Sequence, residues 1–182
     1  MTSARDIEIL TRFARIIAAD GYTHGLQPVQ WQALQFLAYA NRFSRTPKGL
    51  TAWLGQTKGS VSQTILALEA KGLVKRASDE GDRRVVRVEL TDAGRSLLGE
   101  PPAAMAAQML DRLAKTDREH LVAAVEAMLR EHLSASGQQA FGQCRNCRHF
   151  SVEAAGHNRC ALLGVPLTDH DGDLICVEQD AA

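Results

Sequence analysis

The sequence predicts a mainly helical fold with a small β-hairpin and a short cysteine-rich tail. Three observations carry this expectation. Residues 57–76 read as a capped amphipathic helix running into a basic, apolar stretch. Val86, Val88 and Leu90 alternate with Arg87 and Glu89, the period-two pattern of a half-buried strand. All four cysteines fall within the last 39 of 182 residues.

Residues 4–19 form the first expected helix, with Ile9, Leu10, Phe13, Ile16 and Ile17 apolar. That stripe is broader than one contact needs, so the helix should pack against more than one neighbour. Pro28 opens a second helix carrying Trp31, Leu34, Phe36, Leu37, Tyr39 and Phe43. Apolar stripes of this kind are core first, and the wall of a ligand pocket second.

Thr46 is placed to cap a short third helix, with Pro47 at its first position and Leu50, Trp53 and Leu54 on its apolar face. Gly55 ends it. Thr57 then caps the next helix, in which Val61, Ile65 and Leu68 form the apolar stripe and Gly72 the stop. The opposite side, at the N-terminal end, holds Lys58, Gly59, Ser60, Ser62 and Gln63, all small, cationic or able to hydrogen-bond. Two helices joined by a glycine break, followed by a hairpin turning at residues 79–82, make a winged helix-turn-helix. In such a unit the polar N-terminal end of the second helix can enter a DNA major groove, its dipole and first amides toward phosphate. The assignment places Ser60, Ser62 and Gln63 at base edges, and Lys58 and Arg83 at phosphates.

Thr91 caps a helix beginning Thr-Asp-Ala-Gly, Pro101 and Pro102 interrupt it, and residues 103–113 resume. Thr116 and Glu119 have capping-box spacing. The last long helix carries Leu121, Val125, Met128 and Leu129 on one side and has no intrachain partner in a lone winged helix, which points to a dimerisation arm. Residues 134–137 end it and read as a linker, dividing the chain into 1–137 and a tail, 138–182. The apolar pattern is complete by Leu133, so the first segment is expected to fold without the second.

The helix GSVSQTILALEAKGLV, the wing DRRVVRVELT and the following TDAG, in that order, resemble the multiple-antibiotic-resistance regulator (MarR) family over roughly residues 5–135. The resemblance implies an obligate homodimer, with long N- and C-terminal dimerisation helices, binding pseudo-palindromic double-stranded promoter DNA. It also implies that the arginine of the wing's Asp-x-Arg enters the minor groove; Asp82 and Arg84 match those positions. Family members bind small aromatic ligands between the dimer helices and the DNA-binding lobe, where the aromatics of the second helix lie, so a small-molecule effector is a further expectation.

Formal net charge is zero, so overall charge gives no signal for nucleic acid; its distribution does. Residues 42–87 hold ten Lys or Arg against four Asp or Glu, whereas residues 88–182 hold eight against fourteen. A positive patch coinciding with the helix-turn-helix suits phosphate contact. Arg5, Asp6 and Glu8 argue against a signal peptide, and the glutamines and Pro28 within residues 21–41 argue against a membrane span, so a cytoplasmic location is expected. No nucleophile–base set, phosphate loop or paired acids argue for an enzyme.

The tail has the pattern Cys144-x2-Cys147-x12-Cys160-x15-Cys176. A segment of this size buries too little apolar surface to fold unaided and needs a staple. For a cytoplasmic protein a metal is the favoured staple over a disulfide, and a Cys-x-x-Cys pair with two distant cysteines can complete one tetrahedral centre. His149, His157 and His170 are alternative ligands, although loop histidines are more often solvated. Two close pairs, the zinc-ribbon arrangement, are absent. The wording CRNCRHF, CALLGVPL and DGDLIC instead resembles high-potential iron–sulfur proteins over roughly residues 144–178, which implies a [4Fe–4S] cluster on all four cysteines. Those proteins shield their cluster with several aromatics, whereas Phe150 is the only Phe, Tyr or Trp between residues 144 and 178, so a labile, sensing cluster fits better than an electron carrier. Zinc and a thiol–disulfide pair are the other two possibilities. The function expected is a DNA-binding regulator controlled by this metal centre, packed on the C-terminal helices and sensing redox state, oxygen or iron. Alternatives are a regulator gated by an aromatic ligand with structural Zn2+, and a redox protein using the winged helix only to dimerise.

Overall fold

The computed structural model describes residues 3–19, 22, 24–79, 84–99, 104–153 and 156–180. Four helices open the chain: α1 (Ala4–Ala19), α2 (Pro28–Tyr39), α3 (Pro47–Leu54) and α4 (Lys58–Ala70). Strands β1 (Val74–Ser78) and β2 (Val86–Leu90) form the wing. Helices α5 (Asp92–Leu98), α6 (Ala104–Asp111) and α7 (Lys115–Ala135) follow.

Local chemistry sets most of these limits. The Thr46 hydroxyl accepts the Gly49 amide at 3.0 Å, Thr57 accepts that of Ser60 at 3.2 Å, and Thr91 accepts that of Gly94 at 3.1 Å. Each satisfies an amide that the first helical turn leaves without a partner. Gly55, at φ 60°, turns α3 into α4 through a left-handed conformation that β-carbons disfavour. Gly94 has a different role: a Cβ there would lie 2.2 Å from the Leu73 carbonyl oxygen, so the Thr-Asp-Ala-Gly sequence lets α5 touch the root of the wing. Gly49 presses against the Ser44 carbonyl in the same way, at 2.1 Å from a built Cβ.

The core gathers Trp31, Leu34, Phe36 and Leu37 of α2, Leu50 of α3, Val61, Ile65 and Leu68 of α4, and Val74, Val88 and Leu90 of the wing. Antiparallel pairing sets Val74 opposite Leu90 and Ser78 opposite Val86. The Val88 amide also donates to the Arg45 carbonyl at 2.7 Å, so the turn between α2 and α3 lies along the outer edge of the wing.

Two local expectations differ from the structure. Helix α2 stops at Tyr39, and Phe43 belongs to the following turn, because the Ala40 backbone is extended and bridges to Ile175. The capping box at Thr116 and Glu119 does not form: α7 begins at Lys115 with Ala114 as its cap, leaving Thr116 inside the first turn. The expected break at Pro101 and Pro102, and most of the wing turn at residues 79–82, lie outside the described residues.

The tail contains β3 (Gly142–Gln143), a 3-10 turn (Cys144–Asn146), β4 (Phe150–Val152), β5 (Asn158–Cys160), β6 (Val165–Leu167), α8 (Asp169–Asp173) and β7 (Ile175–Cys176). Strands β3 and β7 pair, and β4, β5 and β6 form a three-stranded meander. The tail is not held by its linker alone. Val177, 6% exposed, belongs to the winged-helix core, and Ile175 packs beside it. The Asn41 amide donates to the Ile175 carbonyl at 2.8 Å, and the Val177 amide to the Ser44 hydroxyl at 3.1 Å. Trp53 and Phe141 meet with ring centroids 4.4 Å apart, and Lys48 pairs with Glu178 at 2.8 Å.

This packing joins the tail to the winged-helix core through Ile175 and Val177. Val177→Ala should lower stability by about 2 kcal/mol, through lost transfer energy and a small cavity. Thermal unfolding followed by helical circular dichroism should move down by about 5 °C. An unchanged midpoint would mean that the tail contributes nothing to the lobe it touches.

Candidate nucleic-acid interface and cysteine site

Helix α4 divides cleanly into two faces. Val61, Thr64, Ile65 and Leu68 are buried, while Lys58, Gly59, Ser60, Ser62 and Gln63 are all exposed at its N-terminal end. The Ser60 hydroxyl lies 3.0 Å from that of Thr57 and so shares in the cap. A Cβ on Gly59 would meet only the Thr57 hydroxyl, at 3.9 Å, so the fold itself does not require glycine there. Arg84 is exposed at the start of the returning wing segment; Asp82 and Arg83 lie outside the described residues.

The turn end of the wing holds a feature that the sequence pattern did not mark. Arg87 is bound to Asp79, with Nε 2.7 Å from Oδ2, and donates to the Phe43 carbonyl at 2.7 Å. Its guanidinium lies 5.8 Å from the Phe43 ring centroid, and that of Arg42 lies 4.7 Å away. The only signal in the sequence was an arginine on the polar face of a strand that proves to be covered on both sides.

Phe43 also faces the cysteines. Cys144 and Cys176 cluster with Leu167, packed by Phe43, Phe150 and Cys160. Cys144, Cys147 and Cys176 are at most 8% exposed, Cys160 is half-buried, and all four are free thiols. The close pair sits in a tight turn, the Cys147 amide donating to the Cys144 carbonyl at 3.1 Å. Cys176 reaches it because β7 pairs with β3, and Cys160 because it lies opposite Phe150. The expectation that this site packs on the C-terminal helices is not what its neighbours display: the aromatic that closes it from outside the tail is Phe43, in the turn after α2.

Two sulfurs accept hydrogen bonds from nitrogen or oxygen donors. The Asp180 amide reaches Cys147 Sγ at 3.4 Å, held there in part by the Arg148–Asp180 ion pair. Cys176 is bonded by the Glu178 amide and by the side chains of Asn41 and Ser44. Burial pushes the Cys144 thiol up to about 12, with further upward contributions from Cys176, Cys160, Cys147 and Asp171. Burial also raises Cys176, offset in part by those hydrogen bonds. The thiols thus lie within one another's field. Among the described residues no three His, Cys, Asp or Glu side chains stand in a metal-holding arrangement. The donor set nevertheless fits a thiolate-bound metal in kind: four free thiols, three of them buried, with a backbone N–H aimed at the Cys147 sulfur. His149 is half-buried and His157 exposed, while exposed His170 borders a cleft with Arg45, Arg95 and Leu98.

Comparison with known proteins concerns the winged helix. Residues 24–85 match the model of the MarR family, a segment that ends ahead of every cysteine. A MarR transcriptional regulator from Methanosarcina mazei Go1 is 26% identical, over 72% of this chain and 96% of its own, with a TM-score of 0.56. MepR of S. aureus, in a crystal structure of its DNA complex, is 20% identical over 72% of this chain and 98% of its own, with a TM-score of 0.54. CouR from Rhodococcus jostii RHA1, bound to p-coumaroyl-CoA, is 19% identical over 66% and 88%, also with a TM-score of 0.54. No curated protein matches the chain.

The unequal environments of the thiols give a direct expectation. In protein stripped of metal, Cys160 should be alkylated first and Cys144 last. A thiol at about 12 is only about one part in ten thousand thiolate at pH 8. Peptide mass spectrometry over time checks this; Cys144 reacting with or before Cys160 would contradict the arrangement. Residues 24–85 match the MarR-family model, and the chain has the winged-helix fold of the MarR regulators it resembles.

Proposed function

We propose that this protein is a dimeric, sequence-specific transcriptional regulator that reads promoter DNA with α4 and the wing. We further propose that its four cysteines form one metal centre governing that binding. The observation that carries the DNA reading is the exposed polar end of α4, opposite the buried stripe and beside a basic wing. MepR, with the same fold, has been crystallised with DNA. Ser60, Ser62 and Gln63 face base edges, Lys58 and Arg83 hold phosphates, and Arg84 enters the minor groove beside Asp82. Gly59 admits the close approach of the backbone.

Dimerisation is supported by apolar side chains left exposed among the described residues. Ile7, Ile9, Leu10 and Ile16 of α1 are exposed, as are Val122, Val125 and Met128 of α7, the last at 61%. Helix α7 buries only Leu133 among its described residues. Two such faces on the terminal helices suit a second copy of the chain.

For the tail, Cys144, Cys147, Cys160 and Cys176 would hold an iron–sulfur cluster, [4Fe–4S] by ligand count, which when bound would supply redox- and oxygen-sensitive chemistry at the tail. The residues of the chain do the rest. Phe43 and Phe150 limit water, Asn41 and Ser44 orient Cys176, and Ile175 and Val177 anchor the strand carrying it to the core. The second reading is a structural Zn2+ with gating by a small aromatic molecule. A groove of about 580 Å³ favours it, bordered by Phe36, Tyr39, Trp53, Leu129 and Phe141. CouR is known bound to p-coumaroyl-CoA.

Two measurements test the proposal. Arg84→Ala should weaken binding to the protein's own promoter about tenfold and lower the salt dependence by about one phosphate equivalent. Equal affinity of wild type and variant by fluorescence anisotropy would remove the wing from the interface. Protein purified without oxygen should be brown and contain iron with acid-labile sulfide; colourless protein with one zinc per chain would favour the second reading.

A further inference from the structure

The turn between α2 and α3 is polar where a helical lobe would ordinarily be apolar. Asn41 is 1% exposed and Ser44 2%. Burying such groups is costly unless each polar atom finds a partner. Part of their bonding is local: the Ser44 amide donates to Asn41 Oδ1 at 2.9 Å. The rest goes to the tail. The Asn41 amide donates to Ile175, the Ser44 hydroxyl accepts the Val177 amide, and both side chains bond the Cys176 sulfur. The cysteine segment therefore supplies hydrogen-bond partners to both residues of this turn.

The same turn is bonded to the wing on its other side. Arg45 accepts the Val88 amide at 2.7 Å, and Phe43 accepts Arg87, whose guanidinium also holds Asp79 at the far end of β1. The Phe43 side chain packs against the cluster of Cys144, Leu167 and Cys176. One residue therefore meets the cysteine cluster with its side chain and the wing with its carbonyl. The Gly49 contact with the Ser44 carbonyl leaves the turn little room to shift.

We propose that Asn41 and Ser44 are positioning residues of the cysteine centre, and that the turn carrying them ties the occupancy of that centre to the wing through Phe43 and Arg87. This rests on the reading that the four cysteines hold a metal. The path it names is short and runs within one chain. With a metal on Cys176, the strand of Ile175 and Val177 is held against Asn41 and Ser44, and the turn holds Arg87 against Asp79. Without it, the strand would loosen, the turn would lose partners and the turn end of the wing would gain freedom.

The experiment uses full-length wild type, Ser44→Ala and Phe43→Leu, each loaded without oxygen with ferrous iron and sulfide and, in parallel, with Zn2+. Transfer of metal to EDTA and hydrogen exchange of amides in residues 74–79 and 84–90 are measured. Ser44→Ala should surrender metal about tenfold faster, the scale expected when an outer hydrogen bond to a ligand is removed. In wild type, stripping should speed exchange across the wing. In Phe43→Leu, stripping should no longer change exchange across the wing. Ser44→Ala holding metal as tightly as wild type overturns the positioning role. Wing exchange unchanged by stripping wild type overturns the tie, and needs no variant to fold. Wild type that takes up neither metal overturns the reading of the cysteines beneath both, an outcome recognisable as zero bound metal.

Discussion

Ser44 lies where three parts of the molecule press on one another. Its carbonyl abuts Gly49 of α3, its hydroxyl accepts the Val177 amide and bonds Cys176, and its own amide is capped by Asn41. The next residue, Arg45, pairs with Val88 of the wing. A buried polar turn is stable only while all of these bonds are made together. The helix-turn-helix, the wing and the cysteine segment are therefore coupled at one place, and the position of each depends on that turn.

What was legible in the sequence was what local chemistry determines. Thr46, Thr57 and Thr91 cap helices because a threonine hydroxyl before a helical run has a nearby amide to accept, whatever the tertiary setting. The division of α4 into Val61, Ile65 and Leu68 against Ser60, Ser62 and Gln63 follows from helical period alone. The same logic failed at Thr116. Its spacing to Glu119 suited a capping box, but α7 is capped at Ala114, two residues too early for that threonine to lie outside the helix.

Long-range packing was not legible. Phe43 extended the aromatic run of α2 and read as part of it, yet the helix stops four residues earlier because Ala40 bridges to Ile175, 135 positions away. Val177 followed a cysteine in a polar tail, and no periodicity marked it as a core residue. Arg87 looked like a solvent-facing strand residue and became the link between Phe43 and Asp79. Each depends on a partner that folding brings from elsewhere in the chain. The cysteine spacing suggested a common centre; Cys144 and Cys176 share one buried cluster with Cys160 packed against it, while no three metal-ligating side chains stand in a metal-holding arrangement among the described residues.

The geometry separates two roles that the winged-helix lobe and the tail might have shared. The polar end of α4 and Arg84 are exposed, while Cys144, Cys147 and Cys176 are buried, two of them in a cluster packed by Phe43. A signal arising at the cysteines would thus reach DNA by changing how firmly the wing is held. The most direct test is the affinity of one preparation for its own promoter, measured at fixed salt with the cysteine centre loaded and after it has been stripped. The account predicts that the two affinities differ, with the difference abolished when all four cysteines are replaced by serine. Equal affinities in the loaded and stripped states would contradict it.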